Sequence, residues 1–447
     1  MTAPPPGTNG TLAELRAHGK SLRAGVPRSA HGEWTPPRHR PDPVQALRQA
    51  STTWIPELVP VRFARMAASP LAFLRGAAAQ MAADVGGMPR TGLAVQAIGD
   101  AHLLNFGSYG TPEERLVFDV DDFDETLPGP WEVDLQRLAA SITLAARELG
   151  LGRPSTAATA AAAGYRLAMQ RFAGLDALEL FRFEQTVHGA QRLVAGLTAD
   201  VVAWSKHTSR WQLPKLAAVD GDRWSIVARP PITVPVDGAV DRDLRALPGR
   251  YGATLLPERR ELLARYEVVD VARHTVGVGS CGTHCHIVLL RGRAAGDPLF
   301  LQVKEARASV LADAWLGSRV DAHTPTPGER VVLGQRRAQP GPDPLLGWCE
   351  VGGRPVYVRQ LRDRRGSVDL SRFQATDLRQ YASLCGATLA RAHARTGEPA
   401  VIAGYLGSSD IFDRSIARFA AAYADQTERD HAAFVAALGP FDGAAGG

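Results

Sequence analysis

Asparagine is nearly missing from this 447-residue chain and stands only at Asn9 and Asn105. Lysine is almost as scarce, at Lys20, Lys206, Lys215 and Lys304, and arginine replaces it elsewhere. With so strong a bias, each surviving copy in an ordered segment is a candidate for chemistry the common substitute cannot perform. The four cysteines, at 281, 285, 349 and 385, match no secreted disulfide framework. The opening MTAPPPGTNG has no apolar signal core, and no run of about 18 uncharged apolar residues occurs. These absences lead us to expect a reduced, cytoplasmic protein without a membrane span. Blocks of roughly five or six like charges are also missing. The net charge of +5 therefore reads as a solvated mixed-charge surface, and no nucleic-acid partner is expected.

What is present is ordinary for a globular protein: 45% apolar and 22% charged residues. The length suits roughly two or three folding units that share a cleft. Residues 1–45 are rich in Pro, Gly, Arg and His without periodicity, and are expected to be partly mobile and to add little core. Residues 46–250 read as a helical lobe, because SPLAFLRGAAAQMAADV, DLQRLAASITLAARELG and STAATAAAAGYRLAMQRF carry apolar residues at three- and four-residue spacing. Two short strand-like runs, GLAVQAIGD and ERLVFDVDD, are embedded there. Residues 251–365 change to β-branched runs broken by Gly and Pro, with one helix at PGERVVLGQRRAQ, and predict a small antiparallel sheet. Residues 366–447 return to helix and complete the helical lobe.

The run IGDAHLLNFGSYGTPEERLVFDVDDFDET sets Asp100 and Asn105 five positions apart in a turn, with Asp119 a hairpin's length further on. A carboxylate, then four residues, then an amide is the spacing of a kinase catalytic loop. One carboxylate orients the attacking hydroxyl, while an amide oxygen and a second carboxylate hold the magnesium ions that bridge the phosphates. Asp119 is the expected metal ligand and Asp122 the reserve, with Asp121 on the same strand face as Asp119. His102 is a candidate to position its neighbours in the loop.

Later, VGVGSCGT places Gly277, Gly279 and Gly282 as G-x-G-x-x-G around Ser280. With 44 glycines, roughly 0.4 such matches arise by chance, so the motif alone is weak. It gains weight because THCHIVLL, which follows, is strand-like, and a strand, glycine turn and strand is how kinases cover ATP phosphates with backbone N–H groups. Lys304 in LFLQVKEA then falls on a neighbouring strand facing the same cleft, where a compact ammonium reaches the phosphates. Glu329, at the start of the helix PGERVVLGQRRAQ, is the candidate to pair with that lysine. ATP and Mg2+ are the cofactors these residues imply, and the partners are a nucleotide and a hydroxyl acceptor.

SAHGEWTPP, LVPVRFARM, SPLAFLRGAA, GDAHLLNFG, FDVDDFDETLPGPWEVDL and VYVRQLRD resemble the bacterial domain of unknown function 2252 family, over about residues 20–435. The chemistry-bearing part is similar to aminoglycoside and choline phosphotransferases, whose loop reads H-G-D-x-H-x-x-N before an apolar strand ending I-D. Asp100, His102, Asn105 and Asp119 match it, and Asp134 is similar to their structural Asp opening a helix. Ile98 stands where those enzymes have His, and no D-F-G follows Asp119. The resemblance implies a two-lobed, protein-kinase-like α+β fold. Because the catalytic loop precedes the glycine loop, it also implies a circular permutation, in which the helix carrying LARAHA packs near the segment entering Asp100.

Two rivals are kept. A metallophosphoesterase would use D-A-H at 100–102, but needs a later Asn and none follows Asn105. A nucleotide-binding regulator without turnover would carry the same binding residues.

Overall fold

The computed structural model describes residues 10–197, 200, 208–221, 223–275, 281–293, 296–312, 325–361 and 366–439. Its architecture is mixed α+β with small antiparallel sheets.

Side-chain caps open the early helices. Thr11, Asp42 and Ser69 accept from backbone N–H groups at the starts of α1 (Leu12–Ser21), α2 (Pro43–Ser51) and, after α3 (Val59–Ala67), α4 (Pro70–Gly76). The alanine-rich run read as one helix is broken at Ala77, whose φ of −114° and ψ of 39° separate α4 from α5 (Ala78–Val85). No side-chain cap closes the start of α5.

Residues 10–45 depart from the expectation of little core. Helix α1 lies against a helix at Pro399–Leu406 so closely that a Cβ on Gly19 would meet Val401 O at 1.9 Å. His31 and Trp34 are buried, and Arg40 bridges Asp84 and Asp430. The segment is thus built into the helical body, where the two buried carboxylates need the Arg40 cation.

That body is formed by α6 (Trp131–Glu148), α7 (Pro154–Phe172) and helices at Ala375–Ala394, Pro399–Leu406 and Ile411–Leu438. Trp131 stacks on Tyr165 and meets Tyr405 and Phe412 in its core. Strands β1 (Ala94–Ala97) and β4 (Leu127–Pro130) pair, as do β2 (Phe106–Gly110) and β3 (Leu116–Val120).

The hairpin β5 (Ala217–Asp220) and β6 (Arg223–Ile226) precedes a six-stranded antiparallel sheet. In chain order its strands are β7 (Thr233–Pro235), β8 (Glu267–His274), β9 (Cys285–Arg291), β10 (Pro298–Glu305), β11 (Gly347–Val351) and β12 (Arg354–Gln360). In space they run β11-β12-β10-β9-β8-β7. The sheet therefore takes in residues 233–235 as well as the expected 251–365. Alternate side chains of β9 and β10 bury Val288, Leu290, Leu301 and Val303 on one face and Ile287, Leu289 and Phe300 on the other. The helix Pro327–Ala338, bounded by Pro327 and followed by Pro340, packs on β11 and β12. Among the described residues, no helix is long and apolar enough to cross a membrane.

Candidate functional site

The loop after β1 is held by an internal carboxylate. Asp134, in the first turn of α6, accepts from Ile98 N at 2.6 Å and from Gly99 N at 2.8 Å. It also pairs with His393 Nε2 at 3.0 Å, and His393 Nδ1 meets Tyr165 Oη at 2.9 Å. Gly99 takes φ +90°, and a Cβ there would lie 2.4 Å from Glu125 O, so glycine is required for the turn into Asp100. The helix Ala375–Ala394 and the turn that follows it brace the same segment, because Tyr381 Oη donates to Leu103 O at 2.8 Å and Thr396 Oγ1 accepts from Gln96 N at 2.9 Å.

Within the loop, Asn105 Nδ2 donates to Asp100 O at 2.6 Å, and Arg137 Nε donates to Asp100 Oδ1 at 2.8 Å. Burial alone would raise the Asp100 pKa, but Arg137 and neighbouring cations outweigh it and leave the carboxyl below its ordinary value. His102 accepts from Leu104 N through Nδ1, and burial pushes its pKa down to about 3. It is thus a neutral brace inside the turn, 3.9 Å from Asp100 Oδ2.

The acidic run is used differently from the expectation. Asp119 is 1% exposed, and both its oxygens accept from Arg391 NH2, at 2.6 and 2.7 Å. It is an interior ion pair between β3 and the Ala375–Ala394 helix and does not line the cleft. Two residues past the end of β3, Asp122 reaches the cleft instead, with Asp124 beside it. Burial and repulsion from Asp124 push the Asp122 pKa up to about 6. Asp124 stays below its ordinary value, because Lys304 and Tyr357 outweigh its burial.

Lys304 comes from the other wall. Its β10 position is opposite Tyr357 on β12, and its Nζ reaches Asp124 Oδ2 at 2.6 Å and Asp122 Oδ1 at 3.8 Å. Burial disfavours the ammonium, but the two carboxylates more than offset it, and the pKa rises. Tyr357 Oη donates to Asp124 Oδ1 at 2.5 Å. The expected pairing of Lys304 with Glu329 gives way to this contact. Glu329 N instead donates to Thr326 Oγ1 in the helix cap. Its neighbour Arg330 donates to Asp124 O at 2.7 Å and Arg307 O at 2.8 Å.

Gly277, Gly279 and Ser280 lie outside the described residues. Gly282, at φ +100°, packs over Trp54 and accepts from Ile55 N at 2.9 Å through its carbonyl. Thr283 of this turn lines a cavity of about 280 Å³ together with Asp100, Asn105, Asp122, Asp124 and Arg75. The structure therefore brings Asp100, Asn105 and Asp122 to one space, with Lys304 at its acidic edge, and leaves Asp119 and Glu329 outside it.

The model of the family described as an uncharacterized protein conserved in bacteria (DUF2252) matches residues 54–437. The chain belongs to that family. No curated protein and no solved structure matches it. In this DUF2252 member, sequence reasoning missed Asp124, Glu125, Arg137, Arg330, Tyr357 and the arginines of α3 and α4. The run D-F-D at 122–124, with Phe123 fully buried, was one available signal for Asp122 and Asp124. The arginines carried none, because arginine is this chain's default cation.

Proposed function

We propose that the chain is a two-lobed, circularly permuted, protein-kinase-like phosphotransferase that moves a phosphoryl group from ATP, as its magnesium complex, to a hydroxyl acceptor. The observation that carries this reading is the meeting of Lys304 with Asp122 and Asp124 across 180 residues of sequence, beside Asp100 and Asn105. The order of elements also supports it. A hairpin with a glycine turn, a third strand bearing lysine, a helix and two further strands is the succession that covers ATP in protein kinases. The bracing of the Asp100 loop by the Ala375–Ala394 helix supports the permuted order. Asp122 followed by buried Phe123 is similar to the kinase D-F-G, with Asp124 in the glycine position.

The donor set fits magnesium, which takes one or two protein oxygens and fills its sphere with phosphate oxygens and water. With Nδ2 committed to Asp100 O, Asn105 presents Oδ1 to a cation, and the Asp122 carboxylate is the second donor. Among the described residues, no group of three or more His, Cys, Asp or Glu forms a ready-made cage. That is compatible with an ion shared with phosphates. When bound, magnesium neutralises charge on the phosphate oxygens. Asp100, kept ionised by Arg137, orients the acceptor hydroxyl and receives its proton. Lys304 exchanges Asp124 for a phosphate oxygen.

A thermal-shift titration tests the binding half: Mg-ATP raises the Tm of the wild type and not that of Lys304→Ala. ADP formation tests the chemistry, which Asp100→Ala abolishes while keeping the Mg-ATP shift. A wild type indifferent to Mg-ATP overturns the reading. A shift without ADP formation favours a nucleotide-binding regulator, and stabilisation by manganese without nucleotide favours a metallophosphoesterase.

A further inference from the structure

The cavity beside Asp100 has a cationic wall that the proposed chemistry does not use. Arg75, at the end of α4, lines it, as do Arg62 of α3 and Arg307 after β10. Two of these are engaged. Arg62 donates to Cys281 O at 2.9 Å and lies over the Trp54 ring at 3.9 Å, and Arg307 pairs with Glu305 and donates to Thr53 O. Arg75 is different: among the described residues it makes no hydrogen bond or ion pair, and its Nε is buried without a partner. Burial lowers its pKa, with Asp100 and Asp122 only partly countering that effect. Arg75 is partly buried, and a buried guanidinium N–H without an acceptor, such as its Nε, is costly unless something else satisfies it. Ala78 and Ala79, at the uncapped start of α5, line the cavity next to it and add their end of the helix dipole.

The acids facing this wall have their own cations: Asp100 has Arg137 and Asp124 has Lys304. Glu125, also in the lining, has its pKa pushed up to about 7 by burial and accepts from Val310 N. Arg75 comes from α4, a different element from the β10 strand that carries Lys304, and it lines the cavity with Asp100. A guanidinium there is placed to meet the acceptor.

Resting on the phosphotransferase reading, we propose that the acceptor is a small hydroxyl compound carrying its own carboxylate or phosphate, and that Arg75 binds this anionic group while Asp100 holds the hydroxyl. The cavity volume of about 280 Å³ suits a molecule of metabolite size. Cationic acceptors of the aminoglycoside or choline type would place their charge against Arg62, Arg75 and Arg307.

The test has two arms on the full chain. In the first, sodium sulfate is titrated without nucleotide at constant ionic strength, and Tm is read. The wild type shows a saturable rise; Arg75→Gln weakens apparent sulfate affinity tenfold or more, the worth of one charge-assisted hydrogen bond, and Arg75→Lys restores part of it. Equal sulfate responses in wild type and Arg75→Gln overturn the proposal whether or not the protein is a kinase. In the second arm, ADP formation from Mg-ATP is followed with glycerate and glycerol 3-phosphate, with glycerol, and with choline and kanamycin. The anionic hydroxyl compounds turn over, and Arg75→Gln raises their KM while keeping the Mg-ATP shift. Turnover confined to glycerol or to the cations overturns the anionic-acceptor assignment and leaves the phosphotransferase reading standing. Loss of the Mg-ATP shift in Arg75→Gln assigns Arg75 to the nucleotide phosphates and overturns the proposal. A wild type that responds to sulfate but not to Mg-ATP overturns the phosphotransferase reading and, with it, the acceptor assignment.

Discussion

Asp119 and Asp122 are three residues apart and perform separable work. Asp119 holds Arg391 in the interior, so Asp119→Asn leaves a buried guanidinium facing a neutral amide, at a cost of about 3 kcal/mol. Asp122→Asn costs little stability, since it removes a carboxylate whose ionisation burial already disfavours. The expected outcome is a lowered urea midpoint for Asp119→Asn with its Mg-ATP shift intact, and the reverse pattern for Asp122→Asn. Thermal shift at fixed magnesium, read beside urea titration, checks both. The strand pattern alone did not distinguish these acids. Alternation places Asp119 on a face but does not say which face meets the Ala375–Ala394 helix. The turn after Val120 that carries Asp122 and Asp124 into the cleft depends on packing with β10. The turn that joins Asp100 to Asn105 was legible from spacing, and Asn105 and Lys304 stood out by scarcity.

His31 supplies a pH test far from the cleft. Its Nε2 lies 2.7 Å from Tyr405 Oη, which donates to Val26 O at 2.9 Å, so Nε2 carries the proton and donates. The buried Nδ1 has no partner, and burial pushes the pKa from 6.5 down to about 4. Above pH 6.5 the ring is neutral in both states. As pH falls from 6.5 to 4, the unfolded chain takes up a proton that the folded chain refuses, so stability falls. Below that window the loss levels off, at about 3 kcal/mol for this group. His31→Gln is expected to remove close to one proton from the slope of unfolding free energy against pH across the window, measured by urea titration at several pH values. An unchanged slope would show that His31 does not carry the effect.

At the level of elements, α7 and the Ala375–Ala394 helix form a joint close-packed from both sides. A Cβ on Gly386 would lie 2.0 Å from Ala161 O, and one on Gly164 would lie 2.2 Å from Ser383 O. Both atoms met are backbone, so relief requires the helices to separate and to carry the Asp119–Arg391 and Asp134–His393 pairs with them. Gly386→Ala is therefore expected to lower stability by about 2 kcal/mol or more, despite alanine's better helix propensity. Gly87→Ala, where nothing lies within 4 Å, is expected to change little. Differential scanning calorimetry of the two variants makes the comparison. Alanine-rich periodicity announced these helices, but their close crossing is written only in pairs of glycines distant in sequence. The six-stranded sheet was more legible, because β8, β9 and β10 follow one another along the chain as antiparallel neighbours, and the short strands β7 and β11 were the ones missed.

Across the whole molecule, the N-terminal segment is the part that local reading understated. Arg40 donates to both oxygens of Asp84, at 2.7 and 2.8 Å, and to both of Asp430, with Tyr423 Oη completing Asp84 at 3.0 Å. Partners 390 residues apart leave no trace in local composition, and the family match begins only at residue 54. Just beyond this segment, Trp54 and Ile55 hold the turn at Gly282 that borders the proposed phosphate site. Removing the Arg40 guanidinium leaves two buried carboxylates without their cation, a change that typically costs about 3–5 kcal/mol. Arg40→Met is accordingly expected to lower the urea midpoint steeply at neutral pH. If Arg40→Met instead matched the wild type, with its Mg-ATP shift unchanged, the docking of residues 10–45 on the helical body would carry none of the stability that the cleft depends on.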